Sequence, residues 1–362
     1  MAERAWLNLL PPEDRACLSR VGIDLEGERA GTYLQVDQNP LFFAGVEGLD
    51  ILSLPQAREA YPWVDGYVGR LLPQARPLDP RTPGYFIRVG RGMKIDRPVQ
   101  VSLIIGREGG RQEVHNVIIL EEGASLNLII GCTSGACVRR GIHLSSTETF
   151  VGRRARLHLT MIHHWGPEVE VYPQGATWVE EQGAYMYDYV CLSGARKLVT
   201  NPQVLLAGEG GIMRSQTVLV SPPGSSLDVG SQVYLRASGT RAEMVSRALT
   251  TGGEVVSRGL LAGEVSGVRG HLECHGLLLT PQGRVLAVPE LEAKTSQVEL
   301  SHEAAVGQVE EEAIEYLLAR GFPRQEAVSI IVRGFLNVGR VDLPPALKEE
   351  IDRVIRLTAE AH

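Results

Sequence analysis

The sequence predicts a mainly β protein with helical regions at both ends. Two observations carry that reading. From about Tyr85 to Val298, short apolar or alternating runs recur, separated by turn-forming clusters, and no long amphipathic helical pattern interrupts them. Before and after that stretch, apolar residues return at helical spacing. The expected organisation is a mixed, partly helical region over 1–84, a β core over 85–299 and a C-terminal helical domain over 300–362.

In the first region, prolines cluster, and Pro73, Pro77, Pro80 and Pro83 mark a linker or boundary. SLPQAREAYPWVDGYVGRLL (53–72) reads as a short helix pair interrupted at Pro62, since proline removes a helical hydrogen bond and clashes with the preceding turn. In the core, runs such as VQVSLII (99–105), NVIILEE (116–122), RLHLTMI (156–162) and QVLLA (203–207) are strand-like. Turn elements recur near 123, 152, 182 and 210, roughly 30 residues apart, the range of a solenoid coil. Stacked β coils, a pair of sandwiches and a propeller all remain compatible with this spacing. In the last region, SHEAAVGQVEEEAIEYLLARG (301–321) predicts a helix capped by Ser301, with Glu303 in the first turn and Gly321 as its stop. PRQEAVSIIVRGFL (323–336) predicts a second helix with Ala327, Ile330, Ile331 and Phe335 near one face, and PPALKEEIDRVIRLTAEA (344–361) a third.

Composition narrows the function classes. The chain has 362 residues, 36 Lys+Arg against 43 Asp+Glu and a formal charge of −7, which argues against wrapping nucleic acid. No run of about 18 apolar residues suggests a membrane span, and the N-terminus lacks a signal-peptide layout. Five cysteines is a low, odd count, so a reducing cytoplasm is the expected location. No P-loop, dinucleotide fingerprint, nucleophile elbow or H-E-x-x-H motif is present. A polysaccharide-cleaving β enzyme is disfavoured by the lack of a paired-carboxylate motif.

Several residues could carry chemistry. Cys132 and Cys137 are too few to close a four-thiolate zinc site, so they read as strand or turn cysteines. His163 and His164 are neighbours on a strand and point to opposite faces, so they cannot easily share a metal; His115 and His143 read as packed residues. RGHLECHGLLL (269–279) is denser: on a strand, His271, Glu273 and His275 share one face, and Cys274 takes the other with Leu272. Twenty-eight residues on, His302 and Glu303 are expected at a β-to-helix junction. Cys, His and Glu are all competent iron ligands.

The HLEC segment, AVPELEA, SHEAAVG, the YLLARG helix and IVRGF together resemble the SufB/SufD family of SUF iron–sulfur cluster assembly proteins, with QVDQNP (35–40), GYFIRVG, VHNVIIL and MIHHW resembling its short, archaeal-type members. The resemblance is densest over 257–336. It implies a right-handed parallel β-helix flanked by helical regions, and a scaffold role in which the nucleotide belongs to a partner, a SufC-type ABC ATPase docked on the C-terminal helices around Tyr316, Arg320, Arg333 and Phe335. It implies that Cys274 accepts sulfur and ligates the cluster, and that His302 and Glu303 are cluster or iron ligands, with His271 and His275 as minor candidates. It also implies a transient iron–sulfur cluster, [4Fe–4S] in type, a sulfur donor protein and a dimer through the β-helix. Flavin binding and the choice between homodimer and SufB/SufD heterodimer stay open. The long N-terminal region and cysteine-rich motif of typical SufB proteins are missing, and a SufD-like partner that needs a separate SufB is the alternative role.

Overall fold

A computed structural model of the chain describes residues 2–75, 79–336 and Arg353. The N-terminal region contributes α1 (Pro12–Arg20), β1 (Gly31–Val36), β2 (Asn39–Gly45), β3 (Leu49–Ser53), α2 (Leu54–Ala60) and β4 (Tyr85–Val89). The strands that follow are β5 (Val99–Ile105), β6 (Gly110–Leu120), β7 (Ser125–Ser134), β8 (Arg140–Val151), β9 (Arg156–His164), β10 (Glu168–Val179), β11 (Ala184–Ser193), β12 (Lys197–Thr200), β13 (Gln203–Leu206), β14 (Ile212–Ser221), β15 (Ser226–Val229), β16 (Gln232–Leu235), β17 (Arg241–Thr250), β18 (Glu254–Gly263), β19 (Val268–Leu278), β20 (Arg284–Ala293) and β21 (Val298–Gln308). Helices α3 (Glu311–Leu318) and α4 (Arg324–Leu336) complete the described chain.

The strands stack as a β-solenoid of about 8 turns. One face is a sheet in the order β2-β1-β5-β7-β9-β11-β14-β17-β19-β21 and the other runs from β3 and β4 through β6, β8 and β10 to β18, with β20 paired on β18. All pairings are parallel except β1–β2 and β3–β4 at the start. A parallel coil needs a turn of the same shape in every repeat, and the backbone supplies it. Gly92, Gly123, Arg154, Gln182, Gly210, Gly239 and Gly267 all adopt positive φ at intervals of 28 to 31 residues, and Gly92 and Gly123 donate to Glu122 and Arg153 one coil on. These stacked left-handed positions, which favour glycine, explain the turn recurrence seen in the sequence.

Three apolar clusters hold the molecule. Alternate strand residues such as Val101, Ile130, Leu159, Tyr189 and Val171 fill the interior between the sheets. The outer face of the first sheet is covered in part by α1, α3 and α4, with Leu18, Ile162, Val218, Leu249, Ile314 and Val332 in one cluster. The outer face of the second sheet packs Phe86, Val117 and Phe150 under α2 and Val64.

Two sequence expectations need correction. The segment from Ser301 is not a helix: β21 extends to Gln308, and the helix begins at Glu311 with Glu310 as its N-cap residue. The ladder to β19 pairs Cys274 with Ala304 and Gly276 with Val306, and eleven paired residues outweigh the helical preference of the Glu-Ala-Ala run. The N-terminal region mixes helix and strand: α1 and α2 accompany β1, which joins the first sheet beside β5, and β3, which pairs with β4. Elsewhere α2 ends before Pro62 and a 3-10 turn (Pro62–Gly66) follows, as the paired reading required. Gly321 follows α3 with φ of 91°. The buried face of α4 is Ala327, Val328, Val332 and Leu336, rotated from the predicted stripe so that Ile330 lies exposed. The third helix expected over 344–361 lies outside the described residues, apart from Arg353.

Candidate functional site

The candidate site lies on the last rungs of the solenoid, on β19 and β21. Strand alternation sorts its residues as the sequence required. Cys274 and Leu272 face the interior and are each 1% exposed, whereas His271, Glu273 and His275 lie half-buried on the outer face. Burial pushes the Cys274 thiol upward, and a hydrogen bond with Ser257 draws it partly back. Ser257 in turn shares a 2.8 Å hydrogen bond with Ser246, the register partner of Cys274 on β17. In this conformation Cys274 is a packed thiol rather than a ready thiolate nucleophile.

His302 and Glu303 stand inside β21, not at a junction, and the ladder decides what they can reach. His302 is the register partner of Leu272, so it shares the face of Cys274, diagonally displaced by one strand and two residues. Glu303 is the partner of Glu273 and lies on the outer face. The strand thus separates the expected set: Cys274 with His302 on one side, Glu303 with His271, Glu273 and His275 on the other. Neither His302 nor Glu303 has a side-chain hydrogen bond or ion pair among the described residues. On the outer face, His271 Nδ1 is 2.8 Å from Ser301 Oγ, and the Nε2 atoms of His271 and His275 lie 3.2 and 3.4 Å from the two oxygens of Glu273. Among the described residues, no group of three or more His, Cys, Asp or Glu side chains is placed to hold a metal ion.

The surroundings are open. β20 and β21 are the terminal strands of the two sheets, and Leu286, Leu291 and Val306 on them are between 42% and 46% exposed. Among the described residues nothing pairs with the outer edges of β20 and β21, and an unpaired strand edge is a template for pairing with another chain. The helical residues named from the sequence divide. Tyr316 is exposed with Arg320 stacked 4.3 Å from its ring centre, whereas Phe335 packs on the solenoid, its ring 5.9 Å from Arg247 and its carbonyl accepting from the same guanidinium. Arg333 sits in the last turn of α4.

A second group of chemically competent residues, farther back in the interior, could not be assembled from sequence. Register places Cys132, His163 and Cys191 in one row across β7, β9 and β11. Burial pushes the Cys191 thiol up to about 12 and holds His143 down at about 3. His163 bonds Tyr189 at 2.9 Å, and His143 bonds Gln112 at 2.8 Å. Only the spacing of about 30 residues between coils hinted that Cys132, His163 and Cys191 would meet.

The matching family model is that of the SUF-system iron–sulfur cluster assembly SufBD core domain, over residues 103–335. The chain is 41% identical over 352 residues to an iron–sulfur cluster assembly SufBD family protein of Archaeoglobus fulgidus, covering 95% of each. It is 37% identical over 362 residues to a protein of the same description from Methanothermobacter thermautotrophicus, covering 96% of this chain and 88% of that one. A Staphylococcus haemolyticus relative of the same family is 30% identical over 280 residues, 76% of this chain and 60% of the relative.

Proposed function

The chain belongs to the SufBD family of iron–sulfur cluster assembly proteins, and from that premise we propose that it is the scaffold subunit on which a nascent cluster is built, with Cys274 receiving the sulfur. The observation that carries this reading is that Cys274 and His302 share one face of the last two strands of the first sheet, beside the exposed terminal strands. In the transfer step, the Cys274 thiolate attacks the outer sulfur of a donor protein's persulfide. The new S–S bond forms as the donor's S–S bond breaks, and the donor cysteine leaves as thiolate. Converting that outer sulfur to sulfide takes two electrons from a separate reductant; iron then meets sulfide beside the Cys274 thiolate and the weaker nitrogen donor of His302, from which a [4Fe–4S] cargo can depart.

Burial of Cys274 means that the thiol reacts only after the end of the solenoid opens. A SufC-type ABC ATPase acting on α3 and α4, around Tyr316 and Arg320, would supply that movement, and a second copy of the chain, or a SufD-type subunit, would cover β20 and β21. The expected setting is cytoplasmic. The same burial favours a second reading, in which this chain is a SufD-like partner and a separate SufB carries the reactive thiol.

Anaerobic reconstitution with iron and sulfide, alone and with the partner ATPase, separates the two. Visible sulfide-to-iron charge-transfer absorption in the wild type and not in Cys274→Ser supports the scaffold. A cluster in both refutes the assignment of Cys274, and no cluster in either, with the ATPase tightly bound, supports the SufD-like role.

A further inference from the structure

Two cysteines lie outside the interior of the solenoid and take no part in the chemistry of Cys274. Cys132, Cys191 and Cys274 belong to the interior cluster, whereas Cys17 is on α1 and Cys137 is in the turn between β7 and β8. The helix rests on that turn: Asp14 Oδ1 accepts the backbone N–H of Ala136 at 2.8 Å. Gly135 permits the approach, since a Cβ there would stand 2.8 Å from the same oxygen. Cys17 follows Asp14 by three residues, on the same side of the helix, and Cys137 directly follows Ala136. Both are free thiols; Cys137 is exposed and Cys17 is 5% exposed. The Cys17 thiol meets the Glu13 carbonyl at 3.8 Å, a weak contact. Burial pushes that thiol upward, Arg20 draws it partly back, and Asp14 and Cys137 add to the rise, so Cys137 lies within electrostatic reach of Cys17.

We infer that Cys17 and Cys137 form a reversible disulfide that fastens α1 to the β7–β8 turn when the protein meets hydrogen peroxide. An accessible cysteine with a second thiol poised beside it is the arrangement of a redox-sensing pair. The order of events follows from exposure. The Cys137 thiolate attacks one oxygen of the peroxide, the O–O bond breaks, and the departing hydroxide takes up a proton to leave as water, which makes Cys137 a sulfenic acid. The Cys17 sulfur then attacks that oxidised sulfur. The S–S bond forms as the S–O bond breaks, and the hydroxyl leaves with the Cys17 proton as a second water. The peroxide is reduced, the two thiols are oxidised, and a dithiol reverses the bond by exchange. Through Leu18, α1 belongs to the apolar cover of the first sheet together with Ile129 and Ile162, so the bond holds that cover in place. The inference does not require Cys274 to be the sulfur acceptor.

The test treats the reduced, full-length protein with hydrogen peroxide, blocks the remaining thiols and maps the peptides by mass spectrometry without reduction. The wild type should become two hydrogens lighter and yield one cross-linked peptide joining Cys17 to Cys137, which dithiothreitol removes. Cys274→Ser should give the same peptide. Cys137→Ser should lose it and keep Cys17 as a thiol. In Cys17→Ser, Cys137 has no resolving partner and should proceed to the sulfinic acid. Circular dichroism checks that the folds match, and Cys17→Ala serves as a second variant should the buried hydroxyl disturb α1. Amide exchange across α1 should slow in the oxidised wild type and not in oxidised Cys17→Ser. Sulfinic acid at Cys137 in the wild type with Cys17 still a thiol would overturn the pair, as would a cross-link from Cys137 to a second copy of the chain. A Cys17–Cys137 bond that leaves α1 exchange unchanged would overturn the fastening.

Discussion

The middle and the end of the solenoid contain the same residue types in opposite circumstances. On β8, Glu148 is fully buried and accepts hydrogen bonds from the backbone of Gly69 and Leu71 at 2.5 Å, from Leu72 at 3.1 Å and from His115 at 2.8 Å. There a histidine and a glutamate clamp the chain before the core onto the second sheet. On β19, His271, Glu273 and His275 make a similar pairing at the surface with no clamp to hold. The strands also contrast: β8 and β10 lie between neighbours, whereas every residue of β21 is at least partly exposed. Residues 69–72 lie over Glu148 and turn that polar pair into structure, whereas the outer face of β19 leaves His271, Glu273 and His275 half-buried.

Glu148→Ala should produce the largest effect and would break the contrast if it did not. Removing one partner of a buried, hydrogen-bonded pair costs about 3–5 kcal/mol, whereas Glu273→Ala, at a half-exposed pair, should cost less than about 1 kcal/mol. Urea unfolding of both variants measures the difference. Acid titration gives the sign. Burial alone would raise the pKa of Glu148, but the hydrogen bonds from His115, Leu71 and Gly69 outweigh it and hold the carboxyl below its ordinary value of 4.5. Its contribution is therefore complete above that value and is lost as the pH falls through the lower folded value, so Glu148→Ala should flatten the acid limb of the stability curve.

The apolar counterpart comes next. Leu159→Ala, in the interior of β9, should cost about 2–5 kcal/mol. Val306→Ala, on β21 and 45% exposed, should cost less than about 1 kcal/mol in the isolated chain. Equal losses would show that the terminal coil is already packed in solution.

The smallest perturbation is thiol labelling of the native protein. Cys137 is exposed and should alkylate first. Cys274, one rung from the open end, should follow, and Cys132 and Cys191, deep in the interior with pKa values driven upward by burial, should react last. Equal protection of Cys274 and Cys191 would mean that the end of the solenoid does not open by itself. Mass spectrometry of the labelled peptides reads the order.

Much of this architecture was legible because alternation and turn chemistry are local. The period of two in HLECH assigns Cys274 to one face and its neighbours to the other, and the recurring turns near 123, 152, 182 and 210 mark the coils. The misreading at Ser301 has an equally local cause. Ser-His-Glu-Ala-Ala is a good helix start in isolation, and only β19 lying alongside converts it to a strand. The separation of His302 from Glu303 follows from that same strand and was hidden with it.

The sequence by itself determined which residues share a face, how long a coil is and where the helical end begins to within about ten residues, since these depend on neighbours along the chain. The tertiary structure decided the rest. It set the depth of Cys274, placed Cys132, His163 and Cys191 in one row, opposed Glu273 to Glu303 and, among the described residues, left β20 and β21 as the last strands of their sheets. Depth and cross-strand partnership depend on residues a full coil away, and local spacing does not specify how those coils align.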